Sequence, residues 1–558
     1  MIKFKLKILF AFLFIFSLSA KAQIVYEPLN NGLYDFLERV ANKGLIDYYD
    51  LIKPLPRKYI YEKLYELAGK KEKLTKLEKD ELNYYMKDFL FEKKLLHPTH
   101  DKYEKIVTKP KLFRKDENKR FRIYSYAGKN IKFNFTPLFS FETGTWEKEK
   151  YFHLKYGIRS EGYLGKSVGF NFQFMNNREE PNIRDFVWQR FSPKTGRNIS
   201  LADRSRVEYG EVYVNISTDW DWGSFSIGQN LTTWGYAENG QIVTSTKSPA
   251  FPAIRLDIYP TDWIHFNYMH GWLNSDVIDS NSFYGTFRYD PVFNTDRFNW
   301  RQKFIAQHTV TVTPTKGLDL SLGESVIYAD RLEMAYLIPL MFFDQADEHI
   351  SRDKNYAGSN TQFFLAASSR NHIPNTHIWG SFFADELTPE GLFDPEKQYY
   401  KFAFTFGSVV VDFPIENLSL RTEYTKIYPA TYRHFIPTLT YENSSYLLGH
   451  WLGDNADLVY VDLTYRILRG LKVKLWGQMI RKGAESLGDR GYDIPMEPFL
   501  YGLRRNYKYF GFEINYEMLH DVKFDFQFNY INESRQQTNL TFKDKFFRQL
   551  LLRVSYGY

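Results

Sequence analysis

The residues able to do chemistry are sparse and poorly grouped. His265 and His270 are five apart, as are His372 and His377. On a strand, successive side chains alternate faces, so this spacing sets the two imidazoles of each pair on opposite sides and gives no shared metal site. Cysteine is absent from all 558 residues. Its absence removes disulfides, thiolate nucleophiles and thiolate metal centres together. No Gly-x-Ser-x-Gly elbow, His-Glu-x-x-His helix or phosphate-cradling glycine loop occurs. Ser and His are both available for a hydrolase set in a barrel wall, but no local pattern marks such a pair. The reading is therefore of a protein that is not an enzyme, with no catalytic residue, metal ligand or cofactor.

Recognition chemistry is better represented. Thr233-Trp234-Gly235-Tyr236-Ala237-Glu238-Asn239-Gly240 and His450-Trp451-Leu452-Gly453-Asp454-Asn455-Ala456-Asp457 mix aromatic rings with planar polar groups and turn formers. Sugars are bound by ring faces against their C–H surfaces and by planar polar groups against their hydroxyls. Trp234, Tyr236, Trp451 and Asp454 are thus candidate glycan contacts on exposed loops. Arg255 and Arg433, with the neighbouring Tyr432, could meet an acidic polymer through charge-assisted hydrogen bonds. The competing reading of any one of these residues is a membrane-interface aromatic or a turn former.

The elements that must hold such residues are strands. From about residue 123 the apolar period is two. Val522, Phe524, Phe526, Phe528 and Tyr530 alternate with Lys523, Asp525, Gln527 and Asn529, and Phe510, Phe512, Ile514, Tyr516 and Met518 alternate with Glu513, Asn515 and Glu517. Each such segment has one greasy and one polar face, a pattern that a soluble β-sandwich or propeller shares. Aromatics make up 18% of the chain, yet mean hydropathy is −0.45. A wall that shows lipid an apolar face and its lumen a polar one reconciles the two. The chain ends on Leu550-Leu551-Leu552-Arg553-Val554-Ser555-Tyr556-Gly557-Tyr558, an alternating strand running to a terminal aromatic, the form read by barrel-insertion machinery. The residues available, about 435, at about 24 per strand with its connection, give on the order of 16–18 strands. The fold class is an all-β transmembrane antiparallel β-barrel with a small N-terminal α-helical bundle.

Ahead of the strands the pattern differs. Lys3, Lys5 and Lys7 precede an apolar run over residues 8–18 and then Ala20-Lys21-Ala22, which predicts a cleaved signal peptide over 1–22. Its four lysines leave with it, taking the formal charge from +7 to near +3, too little to suggest nucleic acid. Residues 23–100 carry helical spacing. Leu33, Phe36, Leu37 and Val40 stop at Gly44, and Ile60, Leu64 and Leu67 stop at Gly69. A third helix starts at the capping box Thr75-Lys76-Leu77-Glu78 and runs through Leu82, Tyr85 and Phe89. A bundle this small needs support from a neighbour, which predicts docking beneath the barrel on the periplasmic side. Residues 101–122, with Arg114-Lys115-Asp116-Glu117-Asn118-Lys119-Arg120, read as a charged linker or solvated loop.

Several blocks resemble the Wzi-type capsule-assembly family. They are Gly228-Gln229-Asn230 with Trp234-Gly235; Gly323-Glu324-Ser325-Val326-Ile327-Tyr328 with Ala335-Tyr336-Leu337-Ile338-Pro339; and Asn360 with Ala384-Asp385-Glu386-Leu387. Thr422-Glu423-Tyr424-Thr425-Lys426-Ile427-Tyr428-Pro429-Ala430-Thr431-Tyr432-Arg433-His434 and the block from Leu448 to Asp457 follow in order. The resemblance spans nearly the whole mature chain and adds Glu324 to the candidate glycan contacts. It implies an eighteen-stranded outer-membrane barrel with a helical bundle over its periplasmic end, and a lectin role without catalysis or cofactor. The implied partners are capsular or extracellular polysaccharide, outer-membrane lipid, barrel-insertion machinery and polysaccharide-export proteins. The alternatives are a porin-like or glycan-export channel, and a surface barrel serving adhesion or gliding. Large inward side chains favour a plugged lumen over an open one.

Overall fold

The computed structural model describes residues 24–29, 32–96, 114–115 and 120–557, apart from 129, 148, 166, 181–190, 198, 203–205, 286–295, 354–357, 386–400 and 487–496. The predicted signal segment and most of the predicted linker lie outside the described residues.

The alternating segments become eighteen long antiparallel strands that close on themselves. In chain order they are β1 (Ile131–Trp146), β2 (Glu149–Leu164), β3 (Val168–Glu180), β4 (Val207–Trp220), β5 (Gly223–Asn230) and β6 (Phe251–Thr261). Then come β7 (Ile264–Ile278), β8 (Trp300–Thr315), β9 (Leu318–Ala329), β10 (Ser359–Arg370), β11 (Thr376–Asp385) and β12 (Phe402–Val411). The last are β13 (Leu418–Ile427), β14 (Ala456–Leu468), β15 (Leu471–Lys482), β16 (Arg505–Leu519), β17 (Val522–Gln536) and β18 (Phe542–Tyr556). Closure is made by the C-terminal strand, with Tyr556 opposite Phe139 and Gln549 opposite Trp146. A closed ladder leaves no edge and satisfies every wall amide inside the sheet, as lipid requires.

The two ends of the barrel are unlike. At one, strands are joined by two-residue turns, among them Asp221-Trp222, Asp262-Trp263, Lys316-Gly317, Arg469-Gly470 and His520-Asp521. At the other, the connections 231–250, 279–299, 330–358 and 428–455 are long. Short turns face the periplasm in outer-membrane barrels and long loops face out. Alternation along each strand sorts the faces as read from the sequence. Phe524, Leu550, Leu552 and Val554 point outward and are exposed, while Lys523, Asp525 and Arg553 line the lumen.

The helices sit at the short-turn end. They are α1 (Gly32–Asn42), α2 (Arg57–Ala68), α3 (Lys76–Tyr85) and α4 (Leu90–Leu96). α3 has the predicted capping box, with the Glu78 amide donating to Thr75 Oγ1 at 3.2 Å and the Thr75 amide to Glu78 Oε2 at 2.9 Å. The third helical stretch is not continuous. A 3₁₀ turn at Met86–Asp88 breaks it and α4 follows, with Phe89 wholly buried at the break. Leu33, Phe36, Leu37, Val40, Ile60, Leu64, Leu67 and Leu82 form the bundle core. Gly44 takes φ +69, and a Cβ there would strike Asn371 in the β10–β11 turn, so the stop after α1 is also a point of close approach to the barrel.

Docking is electrostatic at its rim. Arg39 donates to Asp412 at 2.7 Å, Lys58 to Asp219 at 3.0 Å, Lys472 to Asp35 at 2.7 Å and Arg370 to Asp50 at 2.7 Å. The expectation of a solvated linker needs correction at its C-terminal end. Arg120 is buried against Asp88 and, at 3.1 Å, Asp521, and Arg122 donates to Thr136 at 2.6 Å. Two guanidinium groups are affordable there because carboxylates and a hydroxyl meet them.

Two expectations follow. Phe526 faces lipid, so Phe526→Arg should cost the refolded barrel roughly 2–4 kcal/mol in urea titrations, whereas the lumenal Asp525→Asn should cost far less. The second concerns His520, in the β16–β17 turn, whose ring stacks on Tyr84 of the bundle at 4.0 Å. Burial, reinforced by Arg120, pushes its imidazole from 6.5 down to about 4. A depressed histidine contributes stability present above its unfolded value and lost as pH falls through its folded one. Bundle docking, read by protease cleavage of 32–96, should therefore weaken between pH 6.5 and about 4, and His520→Phe should flatten that slope.

Candidate functional site: a half-plugged lumen

Eighteen strands enclose more space than wall side chains can fill. Chain from both ends enters it. From the short-turn end, the extended segment after α1 brings Ile52 and Lys53 inward, where they pair with Trp234 and Thr233 of loop 231–250. Trp234 Nε1 donates to Thr309 Oγ1 on the wall at 3.0 Å, and the Gly235 amide to Leu51 O at 2.8 Å. Gly235 holds φ +129, which favours glycine at this close crossing. Loop 428–455 locks against the same loop. Tyr432 donates its hydroxyl to Ile242 O at 2.6 Å, Trp451 Nε1 donates to Asn239 O at 2.6 Å, and the Ser245 amide to Leu448 O at 2.8 Å. Glu423 on the wall accepts from the Glu238 and Asn239 amides at 2.7 and 3.1 Å.

The plug packs against one side of the wall. Inward positions there include the apolar or hydroxylic Ile305, Thr309, Ile327, Phe364, Trp379, Phe383 and Ala403, together with the charged Lys303, Arg370, Asp385 and Glu423, each met by a group of the plug or of the segment after α1. On the opposite side the inward positions of β1–β4 and β15–β18 carry charge, and there a cavity of about 840 Å³ remains. It is bordered by Glu142, Lys155, Arg159, Glu161, Glu211 and Arg553 of the wall, by Asp35 and Glu81 of the bundle, and by Lys194, Arg197 and Thr246 of the long loops. Many charges are matched across it, as in Arg553 with Asp525 at 2.8 Å and Arg197 with Glu179 at 2.9 Å. Burial alone would raise the Asp35 carboxyl, but Lys472 and Arg466 outweigh it and hold it at about 2. Such a lining offers donors and acceptors in quantity to a hydroxyl-rich chain or to water.

The candidate glycan contacts fall elsewhere, and the expectation of exposed loops is corrected. Trp234 and Trp451 are 1% and 3% exposed, and Tyr236 and Tyr432 are equally enclosed in the plug. Asp454 is buried, its Oδ2 accepting from the Ala430 and Ser486 amides at 3.2 and 3.0 Å. Arg255 faces inward near the bundle, held by Asp257 at 2.9 Å and donating to Pro54 O at 3.1 Å. Glu324 points to the outside of the wall and accepts from the Phe343 and Asp344 amides at 3.0 and 2.7 Å. Arg433 keeps the most open side chain of the eight, 24% exposed, at the long-loop end beside Glu442 and Glu485. Aromatics mixed with Gly, Asn and Asp build a self-satisfied internal loop as readily as an exposed one, and spacing does not separate the two. Of the cavity lining, Lys523, Asp525 and Gln527 are legible in the sequence as a polar lumenal face, whereas Lys155, Arg159, Glu161 and Glu211 carry the same inward parity without being singled out.

The first histidine pair behaves as its spacing requires, whereas His372 lies in the β10–β11 turn and not on a strand with His377. His265 stacks on Tyr49 in the lumen at 4.1 Å, while His270 faces outward and meets the Tyr328 hydroxyl at 2.6 Å. His377 lies 2.9 Å from Ser368 Oγ and 3.9 Å from Glu38. This has the order of a hydrolytic triad, but Ser368 and His377 are each 1% exposed, and neither borders the cavity. A nucleophile that substrate cannot reach gives no hydrolase site.

Fold and lumen together define the class: a closed eighteen-stranded barrel of outer-membrane type, capped by helices and half filled by its own loops. Among solved structures the chain is similar to Wzi of Escherichia coli, an outer-membrane protein involved in group 1 capsule assembly and described as a carbohydrate-binding β-barrel. The TM-score is 0.57 at 11% identity, over 96% of this chain and 100% of that one. It is also similar to Acinetobacter baumannii OccAB2 (TM-score 0.42, 11% identity, 76% and 97% of the two chains) and to Pseudomonas aeruginosa OccK5 (0.38, 10%, 77% and 98%). No family model matches the sequence, and no curated protein matches it.

Trp234→Ala removes a buried indole and should loosen the plug by roughly 3–5 kcal/mol. New protease cleavage within 231–250, with the heat-modifiable wall intact, is the expected result. Trp263→Ala, at an exposed turn, should produce none.

Proposed function

We propose that this chain is exported through a cleaved signal peptide and binds and retains exported capsular or extracellular polysaccharide at the cell surface, without catalysis. The observation that carries this reading is the plug. Two long loops and the segment after α1 fill the half of the lumen that an open porin would leave to water. The fold likeness to Wzi, a carbohydrate-binding barrel, supports the same reading. The polymer would be met at the long-loop end, where Lys194 and Arg197 border the cavity and Arg433 is partly exposed. Each sugar contributes little, so retention would depend on many shallow contacts along the chain.

One observation favours a second reading. The cavity lining continues from Arg197 and Thr246 at one end to Asp35 and Glu81 at the other, as a narrow polar conduit would. Single-channel recording in planar bilayers separates the two, since a binding barrel gives no steady conductance.

The direct test is a deletion strain stained for surface polymer. Cell-bound polymer should fall roughly tenfold while polymer appears in the medium, and Lys194→Ala with Arg197→Ala should give part of that loss in a folded barrel. Unchanged retention in the deletion strain would sink the proposal.

A further inference from the structure

The described part of the connection after β9, residues 330–353, does not enter the lumen. It turns back over the outside of the wall, where even-numbered positions of β7, β8 and β9 face outward. Tyr336 and Phe343 are buried there against Tyr268, Phe304, Val326 and Tyr328. A helix, α5 (Phe343–Asp353), begins on the wall itself, its first amides donating to Glu324. His308 Nε2 stands 3.4 Å from the same carboxylate. This places a carboxylate and a histidine on the lipid side of a membrane barrel, hidden beneath a lid of the protein's own chain.

The other surface of that lid is apolar. Leu332, Met334, Ile338, Leu340 and Phe342 are 41%, 70%, 49%, 81% and 48% exposed. Such a cluster is unusual in water. Below it on β8, β9 and the adjoining β10, Val310, Leu320, Leu322 and Leu365 are exposed and belong to the lipid-facing belt. The apolar surface is thus continuous from wall to lid.

Backbone accounting agrees. Leu337 donates to Met334 O at 3.2 Å, Ile338 to Ala335 O at 3.2 Å and Met341 to Ile338 O at 3.0 Å, while the Tyr268 hydroxyl meets Tyr336 O at 2.7 Å. The turns at Met334–Ile338 and Ile338–Met341 thus pair part of the backbone internally, and the remaining polar groups suit the membrane interface, where headgroups and water reach them. Charge is kept to the margins. Arg331 pairs with Glu333, Asp330 with Arg301 at 2.8 Å, and the exposed side chains over 343–350 of α5 are Gln345, Glu348 and His349.

We propose that residues 332–342 are an interfacial element embedded in the acyl chains of the outer leaflet, with the polar face of α5 at the headgroups. The partner is lipid, and the inference rests on the barrel reading but not on polysaccharide binding. Amphipathic segments with this division lie in the membrane interface.

The absence of cysteine allows a direct test. The full chain, refolded into dioleoylphosphatidylcholine vesicles, is spin-labelled singly at Met334→Cys, Leu340→Cys, Glu348→Cys and Leu322→Cys, with heat-modifiability checking each fold. Collision with dissolved oxygen is compared with collision with a water-soluble nickel chelate. The oxygen-to-chelate ratio at positions 334 and 340 should match position 322 and exceed position 348 by roughly tenfold. A ratio at 334 and 340 equal to that at 348 overturns the proposal, as does shielding from both collision partners, the result for a surface covered by protein. A water-like ratio at 322 as well would overturn the barrel reading itself.

Discussion

Width is the constraint on which the molecule depends. A wall of eighteen strands satisfies its own backbone and needs no help to stand in lipid, but its lumen is too wide for side chains to meet across it. Interior volume must then hold water or be filled by chain whose polar groups are all occupied. This protein does both, side by side. The filled half uses aromatic residues whose polar tips reach named partners, Trp234 to Thr309, Trp451 to Asn239 and Tyr432 to Ile242. The wet half keeps matched charges.

That division is written in the wall. Along β8 to β12 the inward parity includes Ile305, Thr309, Ile327, Phe364, Phe383 and Ala403, and loops pack there as they would in a soluble core. Along β1 to β4 and β16 to β18 the same parity includes Glu142, Lys155, Arg159, Glu211, Asp525 and Arg553, and no apolar loop could desolvate so many charges. The plugged side is not free of charge, since Lys303, Asp385 and Glu423 lie there, but each is met by a backbone group of the long loops.

The period of two along β16 to β18, the terminal aromatic strand and the Thr75 capping box made the wall and the bundle legible, because local pattern and final environment agree there. The site was less legible for a physical reason. Trp234 and Trp451 sit among Gly, Asn and Asp, and those residues make tight reversals equally well in water and inside a barrel. What decides between the two is the width of a lumen assembled from strands far away in sequence. Glu324 misled differently. Its parity points outward, where a carboxylate is costly, and the Phe343 and Asp344 amides, brought back over the wall, relieve that cost. The break between α3 and α4 likewise has no marker in a stretch whose apolar spacing runs on through Phe89.

The short ladder of Ile52 and Lys53 with Thr233 and Trp234 joins chain that entered from one mouth of the barrel to chain that entered from the other. A load applied to the long loops is therefore not borne by the wall alone. It passes through Trp234 and Leu51 to the helices at the opposite mouth, which Arg370 and Asp50 tie back to the strands. The molecule is built like a rivet, with a shank through the membrane and a head on each side, and pulling on one head tightens the other against its seat.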